Sequence, residues 1–200
     1  MAFSDEQAMI LDSAQAFCRD KSDGNAVRSL LKSETGFNQD VWDEMVALGW
    51  TGLSIPEQFG GFAMGIGATV PLVESMGRHM LCTPYISATI AAQAIVRGGS
   101  ESQQTKWLPA MVQGTIGTLA LLDNEDWGAT STSCVLTGKD DQLELKGKKL
   151  LVHDASVSDF FLVLAQHDGA EVLVIVESSQ LASNAITCKS YWTYLTSRSC

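Results

Sequence analysis

Few side chains in this sequence are of a type that does chemistry, and their spacing is informative mainly for what it excludes. His79 and His167, two of the three histidines, fall at a helix end and in a turn with no partner in sequence, a poor basis for a metal site. Asp123, Glu125 and Asp126 cluster as metal ligands do, yet they lack the alternating spacing of a calcium loop. Gly65-Ile66-Gly67 offers two glycines of a dinucleotide fingerprint. Val70 stands where the third belongs and no strand precedes the run, so the phosphate-cradle reading fails its context. Lys146-Gly-Lys-Lys reads as a hairpin turn with solvated charge, a contact to a ligand phosphate being the functional alternative. Glu57, just after Pro56, reads as an acceptor of backbone hydrogen bonds rather than a base. His153 reads first as a surface or strand-end histidine.

The composition agrees with a globular protein of one large domain or two small ones. Of 200 residues 46% are apolar and 18% charged, and the net charge is −10. No basic face or tail appears, which argues against nucleic-acid binding. Five cysteines, an odd number without a CxxC pair, suggest reduced thiols in a cytoplasmic protein. The amino terminus lacks the basic start and apolar run of a signal peptide, and no apolar run is long enough to span a bilayer.

These residues must be positioned by two kinds of element. Ser4 and Gln7 form a capping-box pattern opening a helix to about Arg19, with Ile10, Leu11, Ala14, Phe17 and Cys18 at helical spacing. A short helix is expected around 26–32. Asn38 can cap a helix that buries Val41, Trp42, Met45 and Leu48. The stretch Gly49-Trp-Thr-Gly-Leu-Ser-Ile-Pro-Glu-Gln-Phe-Gly-Gly61 then reads as a rigid connection. Pro56 pushes Ile55 to an extended backbone, and Trp50, Leu53, Ile55 and Phe59 are available to pack. A helix follows through Leu72, Val73, Met76 and Met80. Another starts at Thr83-Pro84, cap then proline, and runs through Ile86, Ile90, Ala94 and Ile95. Ser100 and Gln103 form a second capping box, and Gly114 closes the helix they open. All four prolines lie before Gly114, and helical spacing disappears after it. Short β-branched or apolar runs (115–122, 143–146, 149–152, 160–164 and 172–176) are separated by turn signals at Gly138, Lys146-Gly147 and His167-Asp-Gly169. The expectation is an α+β chain: an all-α domain over residues 1–113, then an antiparallel β-barrel or sandwich over 114–200.

The Gly49–Gly61 wording closely resembles a signature of the acyl-CoA dehydrogenase family. So, in the family's order, do Val73-Glu-Ser-Met-Gly-Arg, Gly99-Ser-Glu-x-Gln with Trp107-Leu-Pro-x-Met, and Gly147-Lys-Lys-Leu-Leu-Val-His-Asp-Ala with Ser158-Asp-Phe-Phe-Leu-Val-Leu-Ala. Each match is weak alone, but the ordered set spans nearly all of the sequence. The resemblance implies an amino-terminal helical domain followed by a middle β domain, the latter truncated at its end, with the family's carboxy-terminal helical bundle absent. It implies FAD as cofactor, an acyl-CoA substrate, fatty acid β-oxidation, electron-transferring flavoprotein as acceptor and a homo- or hetero-oligomer.

It also implies a flavin wall in the β domain. The family's Thr-Glu-Pro…Gly-Ser strand maps onto Leu119-Ala-Leu-Leu-Asp-Asn. Leu121 and Leu122 thereby become flavin contacts, Leu122 stands at the threonine and Asp123 at the glutamate, and Gly128 falls near the Gly-Ser pair. The family's aromatic-x-Thr/Ser triplet maps onto Leu151, Val152 and His153. Leu122 cannot hydrogen-bond through its side chain and Leu151 offers no aromatic face. The backbone amides of Leu121, Leu122 and Val152 need no particular side chain, and His153 has a ring N–H to donate. The family's glutamate base lies in the carboxy-terminal bundle, beyond residue 200, and no carboxylate present takes its place. These departures open a second reading, a non-catalytic partner subunit of a heteromeric dehydrogenase.

Overall fold

The computed structural model describes residues 5–31, 33–126, 132–139, 142–182, 186–189 and 192–197. The chain forms two compact units, Met1–Thr115 and Ile116–Cys200.

The first unit is helical. Helix α1 (Asp5–Lys21) has Asp5 and Glu6 in its first turn and Arg19 and Lys21 in its last, the charge order that its dipole favours. It buries Ala14 and Cys18; Ser4, its expected cap, lies outside the described residues. Asp23 caps α2 (Gly24–Leu30) by accepting from the Asn25 and Ala26 N–H groups. In α3 (Gln39–Ala47), Asn38 accepts from Asp40 N at 2.8 Å and the helix buries Val41, Trp42 and Met45. Leu48, expected on that face, is instead 50% exposed, because the helix has ended and Leu48 is its cap.

The 49–61 stretch contains no α-helix but two 3-10 turns, Trp50–Gly52 and Glu57–Phe59. Trp50, Leu53 and Ile55 are buried, whereas Phe59 is half-buried. The strap is pinned to two later helices: Tyr85 Oη donates to Trp50 O (3.2 Å), Gln93 Nε2 to Ser54 O (3.1 Å) and Thr51 Oγ1 to Val112 O (2.9 Å). Gly61 is required by close approach, since a Cβ there would lie 2.1 Å from the Ile55 carbonyl oxygen.

Helix α4 (Val70–His79) carries Pro71 in its first turn and ends at Met80 in the left-handed conformation. In α5 (Tyr85–Gly98), Pro84 and not Thr83 occupies the cap position, and the Thr83 hydroxyl is buried without a partner among the described residues. The buried stripe is Tyr85, Ala88, Ala91, Ala92 and Ile95; Ile86 and Ile90, expected inside, are 48% and 46% exposed. Small alanines, together with Tyr85 and Ile95, face the core in place of Ile86 and Ile90. Helix α6 (Glu101–Val112) opens with the expected Ser100–Gln103 capping box, both bonds made. Among the described residues no helix is long and apolar enough to cross a membrane.

The second unit is a seven-stranded sheet of β1 (Gly117–Ala120), β2 (Val135–Lys139), β3 (Gln142–Lys149), β4 (Phe160–His167), β5 (Ala170–Glu177), β6 (Ile186–Lys189) and β7 (Trp192–Ser197). The neighbour order is β1-β4-β2-β3-β7-β6, with β5 on the other side of β4. The sheet is mixed rather than antiparallel. β1 runs parallel to β4, Gly117 opposite Phe160 through Ala120 opposite Val163, and β2 meets the end of β4 in parallel at Val135–Gln166. A long connection containing the β2–β3 hairpin separates β1 from β4, which is what parallel neighbours require. β4 is buried from Phe160 to Val163 and pairs along its whole length with β5. The turn between them places Asp168 and Gly169 at φ 48° and 81°, the primed geometry that suits a tight hairpin. Lys146-Gly147, expected as a turn, lies inside β3. There the strand passes from pairing β2 (142–146) to pairing β7 (147–149), and a Cβ on Gly147 would meet Cys134 Sγ at 2.5 Å. The core gathers Ala120, Cys134, Leu136, Val152, Ala155, Phe161, Val163 and Ala165.

Candidate cofactor wall in the β unit

Alternation along β1 decides which residues face out. Thr118 and Ala120 are buried, Leu119 is half-buried, and Leu121 just beyond the strand is 41% exposed. Leu122 is half-buried and forms an antiparallel bridge with Leu150, whose N–H donates to Leu122 O at 2.7 Å. On the second segment Leu151 is half-buried with φ +55°, Val152 is buried in the core, and His153 is exposed. Thr118 Oγ1 donates to the His153 carbonyl at 2.8 Å, a second link between the segments. Residues 119–122 and 151–153 are therefore neighbours, although about thirty positions apart in sequence. Gly128 lies outside the described residues.

The two segments present unequal resources. Among the described residues the backbone N–H groups of Leu121 and Val152 have no hydrogen-bond partner, nor has the His153 ring, whereas Leu122 is paired with Leu150. β1 sits at the end of the sheet order, so among the described residues one of its edges is unpaired. Outward apolar side chains, unpaired backbone donors and an exposed imidazole suit a planar ring system with polar edges. An open groove of about 460 Å³ lined by Val135, Leu136, Gly138, Gln166 and Asp168 shares no residue with this wall.

Behind the wall lies a group that the sequence reading placed in solvent. Lys149 is buried, its side chain 1% exposed, and all three ammonium protons have acceptors: Asp123 Oδ1 (2.5 Å), Thr132 Oγ1 (2.7 Å) and Leu121 O (3.0 Å). Asp123 also accepts from the Ser133 backbone N–H and, at 2.9 Å, from its hydroxyl. Burial alone would raise the Asp123 carboxyl; the hydrogen bonds from Lys149, Ser133 and Thr132 outweigh it and hold the group below its ordinary value. One signal for this was available. Leu145, Gly147 and Lys149 share a strand face by period two, and Leu145 packs on the core. Asp123 is thus a lysine partner, and among the described residues no cluster of His, Cys, Asp or Glu could hold a metal ion. Glu57 is exposed, in a 3-10 turn. Cys18 and Cys134 are buried free thiols and Cys82 is exposed; burial pushes Cys18 up to about 11.

Comparison with known proteins gives this architecture relatives. The model of the acyl-CoA dehydrogenase amino-terminal domain matches residues 4–115. Acyl-CoA dehydrogenase FadE27 of Mycobacterium tuberculosis is 29% identical over 150 residues, covering 74% of this chain and 39% of that protein. The chain thus spans well under half the length of that relative. Among solved structures, the Tcur3481-Tcur3483 steroid ACAD superposes with a TM-score of 0.84 at 24% identity, covering 97% of this chain and 55% of that one. An acyl-CoA dehydrogenase complexed with FAD from Bacillus anthracis gives 0.78 at 20% identity, covering 98% and 36%. At such identities the structural likeness is one of fold.

Proposed function

The chain belongs to the acyl-CoA dehydrogenase family, and from that membership we propose that it supplies the helical domain and the middle-domain flavin wall of an FAD-dependent enzyme that dehydrogenates an acyl-CoA thioester between its α and β carbons. One observation carries the cofactor part: two distant segments, 119–122 and 151–153, are tied side by side through the Leu122–Leu150 bridge and the Thr118–His153 bond, with backbone donors left unpaired. The bound flavin would supply the hydride acceptor of the reaction. The chain's own part is to hold it. The Leu121 and Val152 N–H groups offer donors to the ring's polar edge. Leu119, Leu121 and Leu151 cover apolar surface, and the exposed His153 ring offers a further donor. Nothing in this chain is assigned as the base that removes the α proton. The acyl-CoA substrate, electron-transferring flavoprotein as acceptor, a role in fatty acid β-oxidation, a cytoplasmic location and assembly into oligomers are parts of the same reading.

A second reading draws on specific residues. Leu122 and Leu151 stand where the family has a hydroxyl and an aromatic ring, which favours a subunit that completes a heteromeric dehydrogenase without turning over itself. The two readings part on one measurement, the visible spectrum of the purified chain after incubation with FAD and desalting. A retained flavin band is expected. A colourless chain would overturn the cofactor-holding role and leave the partner-subunit reading, for which copurification with a co-expressed flavin-containing subunit is then the requirement.

A further inference from the structure

The Lys149 ammonium joins the two halves of the candidate wall. Its backbone leads directly into Leu150–His153, while its side chain reaches back to the Leu121 carbonyl and to Asp123, the residues on either side of Leu122. Thr132 and Ser133 close the network from the start of the next strand: Thr132 Oγ1 donates to Leu164 O (3.2 Å), and Asp123 takes the Ser133 N–H and hydroxyl. The peptide between Leu121 and Leu122 is thereby gripped at its carbonyl from behind and tied beyond by the Leu122–Leu150 bridge, while the Leu121 N–H has no partner among the described residues. The Leu121 N–H lies on the preceding peptide, between the β1–β4 ladder that ends at Ala120 and the carbonyl fixed by the buried cation, so its direction is set from both sides.

We propose that Lys149 is a positioning residue, acting with Asp123 and Thr132 to aim the Leu121 backbone donor at a planar cofactor bound on the wall. This inference rests on the flavin reading above. It differs from a merely structural role in a testable way, because a core residue stabilises the sheet without setting the direction of that particular N–H group. Replacement of Lys149 by a neutral side chain of similar length leaves the Leu121 carbonyl ungripped and Asp123 buried without its cation.

The test compares three variants of the full chain: Lys149→Met, the milder Thr132→Val, and Val163→Ala as a control that loosens the core beside Lys149 without removing any polar group of the network. Each is measured for thermal midpoint, for FAD dissociation constant by quenching of flavin fluorescence, and for amide exchange of the peptide covering 119–126. Lys149→Met is expected to weaken FAD at least tenfold and to speed exchange at 119–126 without speeding it in β4 and β5. Thr132→Val is expected to give the same pattern at roughly threefold. Val163→Ala is expected to lower the midpoint while holding FAD affinity within twofold. Equal loss of FAD affinity per degree of midpoint in all three variants overturns the proposal, as does a Lys149→Met chain with unchanged affinity. Where Lys149→Met does not fold, Thr132→Val decides by the same criteria. Failure of the wild-type chain to bind FAD overturns the flavin reading instead. The aiming role then stands or falls on exchange alone: local acceleration at 119–126 supports it, and uniform acceleration overturns it.

Discussion

Asp123 is held ionised by its neighbours, and that has a consequence for pH. Its folded pKa lies below the ordinary carboxylate value of 3.8, through hydrogen bonds from Lys149, Ser133 and Thr132 that overcome the burial penalty. A carboxyl depressed on folding stabilises the native state fully above its unfolded value and loses that contribution as pH falls through the folded one. Thermal unfolding scans of the native chain should therefore show a midpoint that declines as pH drops from about 5 toward 3. In Asp123→Asn the midpoint should be lower at neutral pH and the decline shallower, since one titrating group has been removed. Parallel curves for the two proteins would mean that Asp123 is not the group responsible. The pair is a weak source of net stability, because two charges leave water to form it. Breaking it is another matter, and costs about 3–5 kcal/mol where the surviving charge is stranded.

Elements were legible in the sequence to different degrees, for physical reasons that can be named. Capping boxes and Asx caps are local, so Asn38 and the Ser100–Gln103 pair could be read directly, and the structure makes those bonds. Helix faces depend on what packs against them. α5 buries Ala88, Ala91 and Ala92 and leaves Ile86 and Ile90 outward, which a hydrophobicity pattern alone inverts. Turn signals failed at Lys146-Gly147 because glycine also serves close approach, here to Cys134. The same misreading put Lys149 in solvent and hid the network behind the wall. The backbone neighbours of the wall, by contrast, could be placed only through family resemblance, since nothing local links residue 118 to residue 153. Close approach also sets the prediction at this scale. Gly61→Ala places a methyl group against the Ile55 carbonyl, a backbone atom that cannot swing aside. The strap must shift, and a loss of about 1–3 kcal/mol is expected from overpacking, read by denaturant titration of the helical signal. Gly60→Ala is no substitute control, since Gly60 sits at φ +86° and is strained by conformation instead. Gly77→Ala, in helix α4 with open space at the Cβ position, should be neutral or slightly stabilising. A Gly61→Ala chain as stable as Gly77→Ala would show that the strap yields without cost.

At the scale of the whole molecule, helical texture stops at one place in the chain. Proline and period-3.6 patterns end before residue 116, and the first strand begins at Gly117. Each unit has its own buried cluster: Trp42, Met45, Ile55, Leu72 and Leu108 in the first, and Ala120, Phe161, Val163 and Ala165 in the second. Trp42 Nε1 donates to Gly114 O at 3.0 Å, so the helical unit secures its own exit before the sheet starts. A chain cut between Thr115 and Ile116 severs no element of either unit. The two pieces, expressed separately, should therefore give unlike far-ultraviolet circular dichroism: a helical double minimum for 1–115 and a single β-type minimum for 116–200. The sheet piece is small, and its cohesion rests on the long β4–β5 pairing and on the apolar cluster around Phe161 and Val163. It should unfold at lower temperature than the intact chain's sheet signal if it draws stability from the first unit, and at the same temperature if it does not. A predominantly helical spectrum from 116–200 would contradict the architecture itself, and the family's domain order in this chain with it.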